Sequence, residues 1–593
     1  LAILIGPALL ILTFRTYTRD WSRTFAFSTI VLAFMVATGL RPLILAINSL
    51  LSIRSSFAML VPLTMMLPWS LRRRAMITGL AMGVSILMGT EQGLAVILAY
   101  VLVAMMVAIR TKQWRAMLEE LGIALVTAAA VYVVFVGMIG GMAGVRGAFR
   151  FNFKLIPMDQ YWYFGVPPND FIGSWGRLWP RLITQPMTLI ALVVGGAVAG
   201  VWTRRVWRGG TAATAMDRSL AVMLLYGLIA CVSLLGILLV TYVEPLIRCV
   251  FIVSALFVGH LIDAREATPV EQRTRSLLTL PRVGLVALVG IVLGLPLPLL
   301  KSYVRQPPHL LTAHLIGGRG QMLESYWTET MASGQRLMDA HRGPDGRPPV
   351  LWSTYAGLLE ARNGEFQPST DYIIHVLGPA NRQAYLADFR RVRPTLVQTV
   401  LPTYSIYEAW IEQTSWDFYR DLLRDYRVAG MTPWSVMWER RATPGPEPRD
   451  LWQGSVSPTE QAVELPIPAP RGNSAKALLL EVEVSYRVKN PLGFLPIVGS
   501  VPRYLVLESG TMHMPAVTLD PYRGSQRFPI LALEGKKVRL DFRTYSLLPG
   551  ARLEVDSVRL REIPQTPDMY PWLLNLGCAA TPDCSGTSVG PRP

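Results

Sequence analysis

Three arginines interrupt apolar runs in the first half of the chain. Arg41 lies within one run, Arg54 opens the next, and Arg248 follows Glu244-Pro245 one turn into another. A charge inside an apolar span is costly and usually faces the protein interior or a wet cavity. A guanidinium offers a planar fork of donors that matches a phosphate, so all three are candidate phosphate-binding groups. Two carboxylates could handle a proton in a transfer reaction. Glu91 sits in Gly89-Thr90-Glu91-Gln92-Gly93, and Asp159 opens the string Asp159-Gln160-Tyr161-Trp162-Tyr163-Phe164-Gly165-Val166-Pro167-Pro168. Tyr161, Trp162 and Tyr163 suit a lid that stacks on sugar rings or lipid chains. The plainer alternatives stay open. Arg54 and Glu244 fit lipid headgroups, and the aromatic string fits an interfacial anchor. No Walker loop, zinc pair, nucleophile elbow or dinucleotide fingerprint occurs. No metal site is expected, and a divalent cation is the one cofactor left open.

The elements that must position these residues follow from composition. The chain has 593 residues, 51% hydrophobic and 16% charged, with a net charge of +17. A soluble domain carries about 25% charged residues. The shortfall is concentrated before residue 300, where apolar runs alternate with short basic clusters. About ten spans are expected, near residues 1–14, 24–47, 55–69, 75–89, 92–109, 121–143, 187–202, 220–242, 245–261 and 283–300. The opening run is too short for a full span of roughly 20 residues. It reads as the end of a helix whose beginning is missing, so the sequence is expected to be a fragment.

Basic residues alternate between loops. One set holds Arg15, Arg19 and Arg23, then Arg72 to Arg74, then Arg110, Lys112 and Arg115, then Arg204, Arg205, Arg208 and Arg218, then Arg265, Arg273, Arg275 and Arg282. Basic loops stay in the cytoplasm. That places the other loops outside and delivers the C-terminal half to the extracytoplasmic side of the cell membrane. The charge therefore orients helices, and no nucleic-acid partner is expected. Residues 144–186 form a long outer loop in this reading. Cys231 and Cys249 fall in apolar runs, while Cys578 and Cys584 could pair or remain thiols.

Residues 301–442 alternate strands with helices and suggest a small α/β domain. Strands are expected at 349–352, 395–400 and 428–438, and helices at 381–391 and 415–426. Residues 443–448 are rich in proline and glycine and read as a linker. Beyond it, period-two alternation at 478–488, 504–507, 538–542 and 553–560 predicts a β-sandwich over 449–565. That sandwich is either a carbohydrate-binding module or a structural cap. Residues 566–593 read as a tail.

Two short stretches carry a resemblance. Gly79-Leu80-Ala81-Met82-Gly83-Val84-Ser85-Ile86-Leu87, leading to Thr90-Glu91-Gln92-Gly93-Leu94, resembles the small-residue helix and outer turn of the GT-C membrane glycosyltransferases. Tyr242-Val243-Glu244-Pro245-Leu246-Ile247-Arg248 resembles that family's late span, where a basic residue lies near the lipid phosphate. The order of a polytopic membrane domain followed by a soluble α/β domain is also similar. Some branches of the family carry lysine at the outer turn, where this chain has Glu91. The resemblance implies sugar transfer from a polyprenyl-phosphate-linked donor to a glycan, lipid or protein acceptor at the outer membrane face. It also implies a catalytic carboxylate in a first outer loop, which would precede Leu1. Two other readings remain. One is a transporter or flippase, which would favour internal repeats and mid-membrane charges. The other is a non-catalytic surface-polymer assembly protein.

Overall fold

The structure is a computed structural model. It describes the chain except residues 1, 19, 38–52, 161–178, 181, 184–185, 211–212, 232–243, 267–317, 356, 364–372, 403–407, 433, 458–460, 470–475, 494–501, 512–515, 547–548 and 574–593. Two compact units divide it. One comprises residues 1–148 and 176–308, the other residues 149–175 and 309–593.

The first unit is helical. Its helices are α1 (Ala2–Thr18), α2 (Trp21–Ala37), α3 (Ile53–Ser56), α4 (Leu60–Thr64), α5 (Leu71–Met88), α6 (Thr90–Thr111), α7 (Trp114–Arg150), α8 (Pro186–Gly209), α9 (Ala215–Ala230) and α10 (Glu244–Glu266). Among the described residues, three helical stretches are long and apolar enough to cross a membrane: Thr90–Thr111, Trp114–Leu155 and Thr188–Gly209. Small residues set how closely two helices approach. A Cβ built on Gly79 of α5 would lie 2.3 Å from the Ala124 carbonyl oxygen of α7. One on Gly83 would lie 2.7 Å from the Val131 Cβ.

Basic residues gather where α5 and α7 begin and where α6 and α8 end. Arg72 Nε meets Glu119 at 2.7 Å, and Arg205 Nε meets the buried Asp217 at 2.7 Å. Asp217 also closes a capping box with Thr214 at the start of α9, which satisfies backbone donors at that helix end.

One expectation needs correction. The chain does not leave its helix at Gly144. α7 continues to Arg150 and passes into a π-helical run, Phe151–Gln160. Glycines at 137, 140, 141, 144 and 147 lower helix propensity and suggest a loop. The helix runs through them all the same, with most side chains from 133 to 150 exposed. Gly141 takes up a kink at φ 60°, and Phe151 and Leu155 pack against the apolar core of the second unit, to which they belong.

Among the described residues, that second unit holds three four-stranded sheets. A four-stranded sheet in the order β1-β2-β4-β3 comprises β1 (Leu351–Ser353), β2 (Leu396–Val400), β3 (Tyr426–Met431) and β4 (Ser435–Arg440). β1 and β2 are parallel, and the other pairs are antiparallel. Around it lie α11 (Gly318–Ala340), α12 (Leu358–Arg362), α13 (Pro379–Val392), α14 (Glu408–Thr414) and α15 (Trp416–Asp425). The remaining strands are β5 (Arg449–Ser455), β6 (Ala462–Leu465), β7 (Ala477–Lys489), β8 (Arg503–Ser509), β9 (Ala516–Thr518), β10 (Ser525–Leu533), β11 (Val538–Tyr545) and β12 (Arg552–Glu562). They form two antiparallel sheets, β10-β7-β12-β5 and β6-β11-β8-β9. Both sheets contribute to one core, with Leu480, Val482 and Phe528 on one side and Tyr504, Val506 and Leu540 on the other.

β7 serves two cores. Leu480, Val482, Val484 and Tyr486 enter the core between the sheets. Leu479 joins the cluster built on Trp352, Phe389, Trp416 and Trp438. Glu481 on that same face is fully buried and accepts hydrogen bonds from Trp416 Nε1 (2.8 Å) and Arg561 Nη1 (2.7 Å). The expected tail also begins as core. Met569, Trp572 and Leu573 are buried in this cluster, and Trp572 packs on Trp438 at a ring separation of 6.1 Å. The apolar content of Met569-Tyr570-Pro571-Trp572-Leu573 is the reason, because those side chains gain more inside than in water.

Candidate functional site

Within the helical unit, polar side chains from several helix ends meet opposite the basic ends. α10 contributes Arg248 in its second turn, and the end of α9 contributes Tyr226. The short helix α3 brings Ser55 and Ser56, and the first turn of α6 brings Glu91 and Gln92. Arg248 Nη2 donates to the Ser55 carbonyl at 2.6 Å, and Nη1 donates to Ser56 Oγ at 3.3 Å. The Tyr226 hydroxyl donates to Gln92 Oε1 at 2.6 Å and lies 3.4 Å from the Ser55 carbonyl. Ser85 Oγ of α5 donates to the Phe57 carbonyl at 2.9 Å, which fixes the 3-10 turn Phe57–Met59 that follows Ser56.

Arg248 is 3% exposed and Tyr226 is fully buried. These two guanidinium bonds, to the Ser55 carbonyl and Ser56 Oγ, orient the group. A buried cation near helix ends attracts an anionic group, and its planar fork suits a phosphate or carboxylate. Glu91 is exposed, one residue before Gln92.

The other sequence candidates stand as follows. Arg41, Tyr161, Trp162 and Tyr163 lie outside the described residues, as do Cys578 and Cys584. Arg54 lies in α3 and Asp159 in the π-helical run, but their side chains are outside the description, as is that of Glu244. The structure thus places Arg248 and Glu91 around one cluster and adds Ser55, Ser56, Tyr226 and Gln92. The signal for the serines was visible: Arg54-Ser55-Ser56 is a polar step between apolar runs. Tyr226 and Gln92 carried no such signal. Among the described residues, no group of three His, Cys, Asp or Glu side chains is placed to hold a metal ion.

A second titratable group stands out in the strand-rich unit. Glu360 of α12 is fully buried, and its Oε1 accepts the Ser353 backbone N–H at 2.8 Å. Its Oε2 has no hydrogen-bond partner among the described residues. Burial pushes the carboxyl up from 4.5 to about 7, against the smaller opposing effect of the Ser353 bond.

No family model matches the chain, and neither a curated protein nor a solved structure matches it.

Proposed function

We propose that this chain is a polytopic membrane glycosyltransferase of the GT-C type, moving a sugar from a polyprenyl-phosphate donor to an acceptor on the extracytoplasmic side. The observation that carries the reading is Arg248, a buried cation held by Ser55 and Ser56 beside Tyr226 and Gln92. In this reading the helical unit lies in the membrane with its basic ends cytoplasmic. The strand-rich unit then works outside, its α/β part preceding the sandwich. The bond between the anomeric carbon and the phosphate oxygen breaks, and an acceptor oxygen takes the sugar. The acceptor proton passes to a carboxylate, with Glu91 and Asp159 as candidates. Arg248, with Arg41 and Arg54, stabilises the charge growing on the lipid phosphate. Tyr161, Trp162 and Tyr163 cover the reacting groups, and a divalent cation would assist the leaving phosphate in the same way as arginine.

The test uses the chain in liposomes with polyprenyl phosphates carrying labelled hexoses or pentoses. Arg248→Ala is expected to lower donor binding or transfer by about tenfold or more, since a charge-assisted bond contributes roughly 1.5–3 kcal/mol. Arg248→Lys recovers part of the loss, because a point charge lacks the fork. A second reading is favoured by the same burial. If Arg248 only clamps α3 to α10, the chain is a non-catalytic surface-polymer assembly protein. Arg248→Ala would then lower the melting temperature and leave donor affinity unchanged.

A further inference from the structure

A second site is suggested far from the helical cluster in sequence, within the strand-rich unit. An open pocket of about 300 Å³ is lined by the start of α13, the junction of α14 and α15, and the turn between β9 and β10. That size falls at the lower end of small-molecule sites, roughly 300–1,000 Å³. Two arginines line it. Arg382 Nη1 lies 3.4 Å and Arg523 Nε 3.3 Å from the same carboxylate oxygen, Asp520 Oδ2. Both guanidiniums are partly exposed to the pocket, while Asp520 is 1% exposed behind them. Burial, and then the neighbouring Arg382, pull Arg523 below the usual arginine range. One acid lines the pocket, Asp417, which stands 3.8 Å from Arg527 and also acts on the charge of Arg523.

The turn that presents Arg523 is held rigidly. Asp520 N–H donates to Gln526 Oε1 at 2.9 Å, and the Tyr486 hydroxyl donates to the Asp520 carbonyl at 2.6 Å. Tyr522 N–H donates to Asp520 Oδ1 at 2.9 Å. Pro521 fixes one backbone angle of the turn. Tyr522 is therefore displayed at the pocket with 44% of its surface exposed, although a tyrosine gains by burying its ring. Phe418 and Tyr385 add apolar ring surface to the lining, 5.8 Å apart. The first turn of α13, which holds no acidic residue, borders the same space and adds positive potential.

We propose that this pocket binds a sugar-sized ring carrying an oxyanion, with Arg382 and Arg523 gripping the anionic group and Tyr522 stacking on the ring. The shared chemistry is a carboxylate or a phosphate on a saccharide. Around a neighbouring cavity of about 240 Å³, Arg424, Arg441 and Arg561 have Asp or Glu partners within 3.0 Å, while Arg420 and Arg527 stand 3.8 Å from Glu481 and 3.3 Å from Glu483.

The experiment titrates the full chain in lipid nanodiscs with D-glucuronate, D-glucose 6-phosphate and D-glucose, near neutral pH. At least one anionic sugar is expected to bind saturably and at least about tenfold more tightly than glucose. Binding by glucuronate alone marks a carboxylate site, and binding by the phosphate alone marks a phosphate site. Arg382→Gln and Tyr522→Ala should each weaken binding, the first by about tenfold. Tyr522→Ala removes an exposed ring and leaves the fold intact, so it carries the test even if Arg382→Gln does not fold. The proposal is overturned if neither anion binds saturably, if glucose binds as tightly, or if Tyr522→Ala binds like the parent chain. That outcome would leave the transferase reading untouched, because the Arg248 cluster is not involved.

Discussion

At the scale of single residues, Glu360 makes the sharpest statement. A carboxyl raised in the folded state takes up a proton that the unfolded chain has already released. Between the unfolded value, about 4.5, and the folded value, about 7, the folded protein binds more protons. Its stability should therefore fall as pH rises through that window and level off above it. The loss is at most about 3.5 kcal/mol, since each pH unit of the window corresponds to roughly 1.4 kcal/mol. Glu360→Gln removes the titration. Melting temperature followed against pH should be flatter in this variant over the same window, and an unchanged slope would reject the assignment. Nothing in the sequence marked Glu360, because Leu359-Glu360-Ala361-Arg362 looks like any exposed helix turn. Arg248 was legible for the opposite reason. An arginine between Ile247 and Cys249 in an apolar run has no cheap place to go, and its burial follows. The polar step Ser55-Ser56 was legible too, but its pairing with Arg248 was not, since the two serines lie 193 and 192 residues earlier.

At the scale of elements, pattern served strands better than helix ends. Alternation placed β7, β8, β11 and β12 close to where they lie, because each strand turns one face into the core between the two sheets. β10 was missed. Pro529 sits in its middle, which argues against a central strand. The structure resolves the conflict by placing β10 at the edge of its sheet, laddered with β7, its other side touched only by one bridge from Ala532 to Thr511 among the described residues. The helical unit offers a test of close packing. At Gly79 an added Cβ meets the backbone oxygen of Ala124, which cannot swing aside as a side chain can. Gly79→Leu should separate α5 from α7 and destabilise the unit by about 1–3 kcal/mol or more. Thermal unfolding in detergent reads this directly. A melting temperature equal to that of the parent chain would show that the two helices are not held at this distance.

At the scale of the whole chain, the basic loops make a topological prediction. Gln113 follows α6 at the basic ends, and Lys536 lies in the turn between β10 and β11; both are exposed. With Cys578 and Cys584 replaced by serine, the cysteines left in the parent chain are Cys231 and Cys249, both buried. A membrane-impermeant maleimide applied to intact cells should label Lys536→Cys and spare Gln113→Cys. The reverse pattern would place the strand-rich unit in the cytoplasm and remove the proposed reaction from the outer face. The change in composition near residue 300 was the legible part of this organisation. The membership of residues 149–175 in the second unit was not, since it rests on Phe151 and Leu155 finding a core assembled from residues far later in the chain, from Trp352 onward.

β7 has one more consequence, for how the second unit comes apart. The stretch 443–448 reads as a hinge between separable pieces, yet one strand lines the cores on both sides of it. A wall common to two rooms cannot be taken with one of them. A protease site placed between Pro446 and Pro448 should therefore nick the chain without releasing a fragment. The two parts should co-elute after cleavage and melt in a single transition, with Trp416 and Trp572 changing fluorescence together. Two separate transitions would mean that the strand belongs to the sandwich alone.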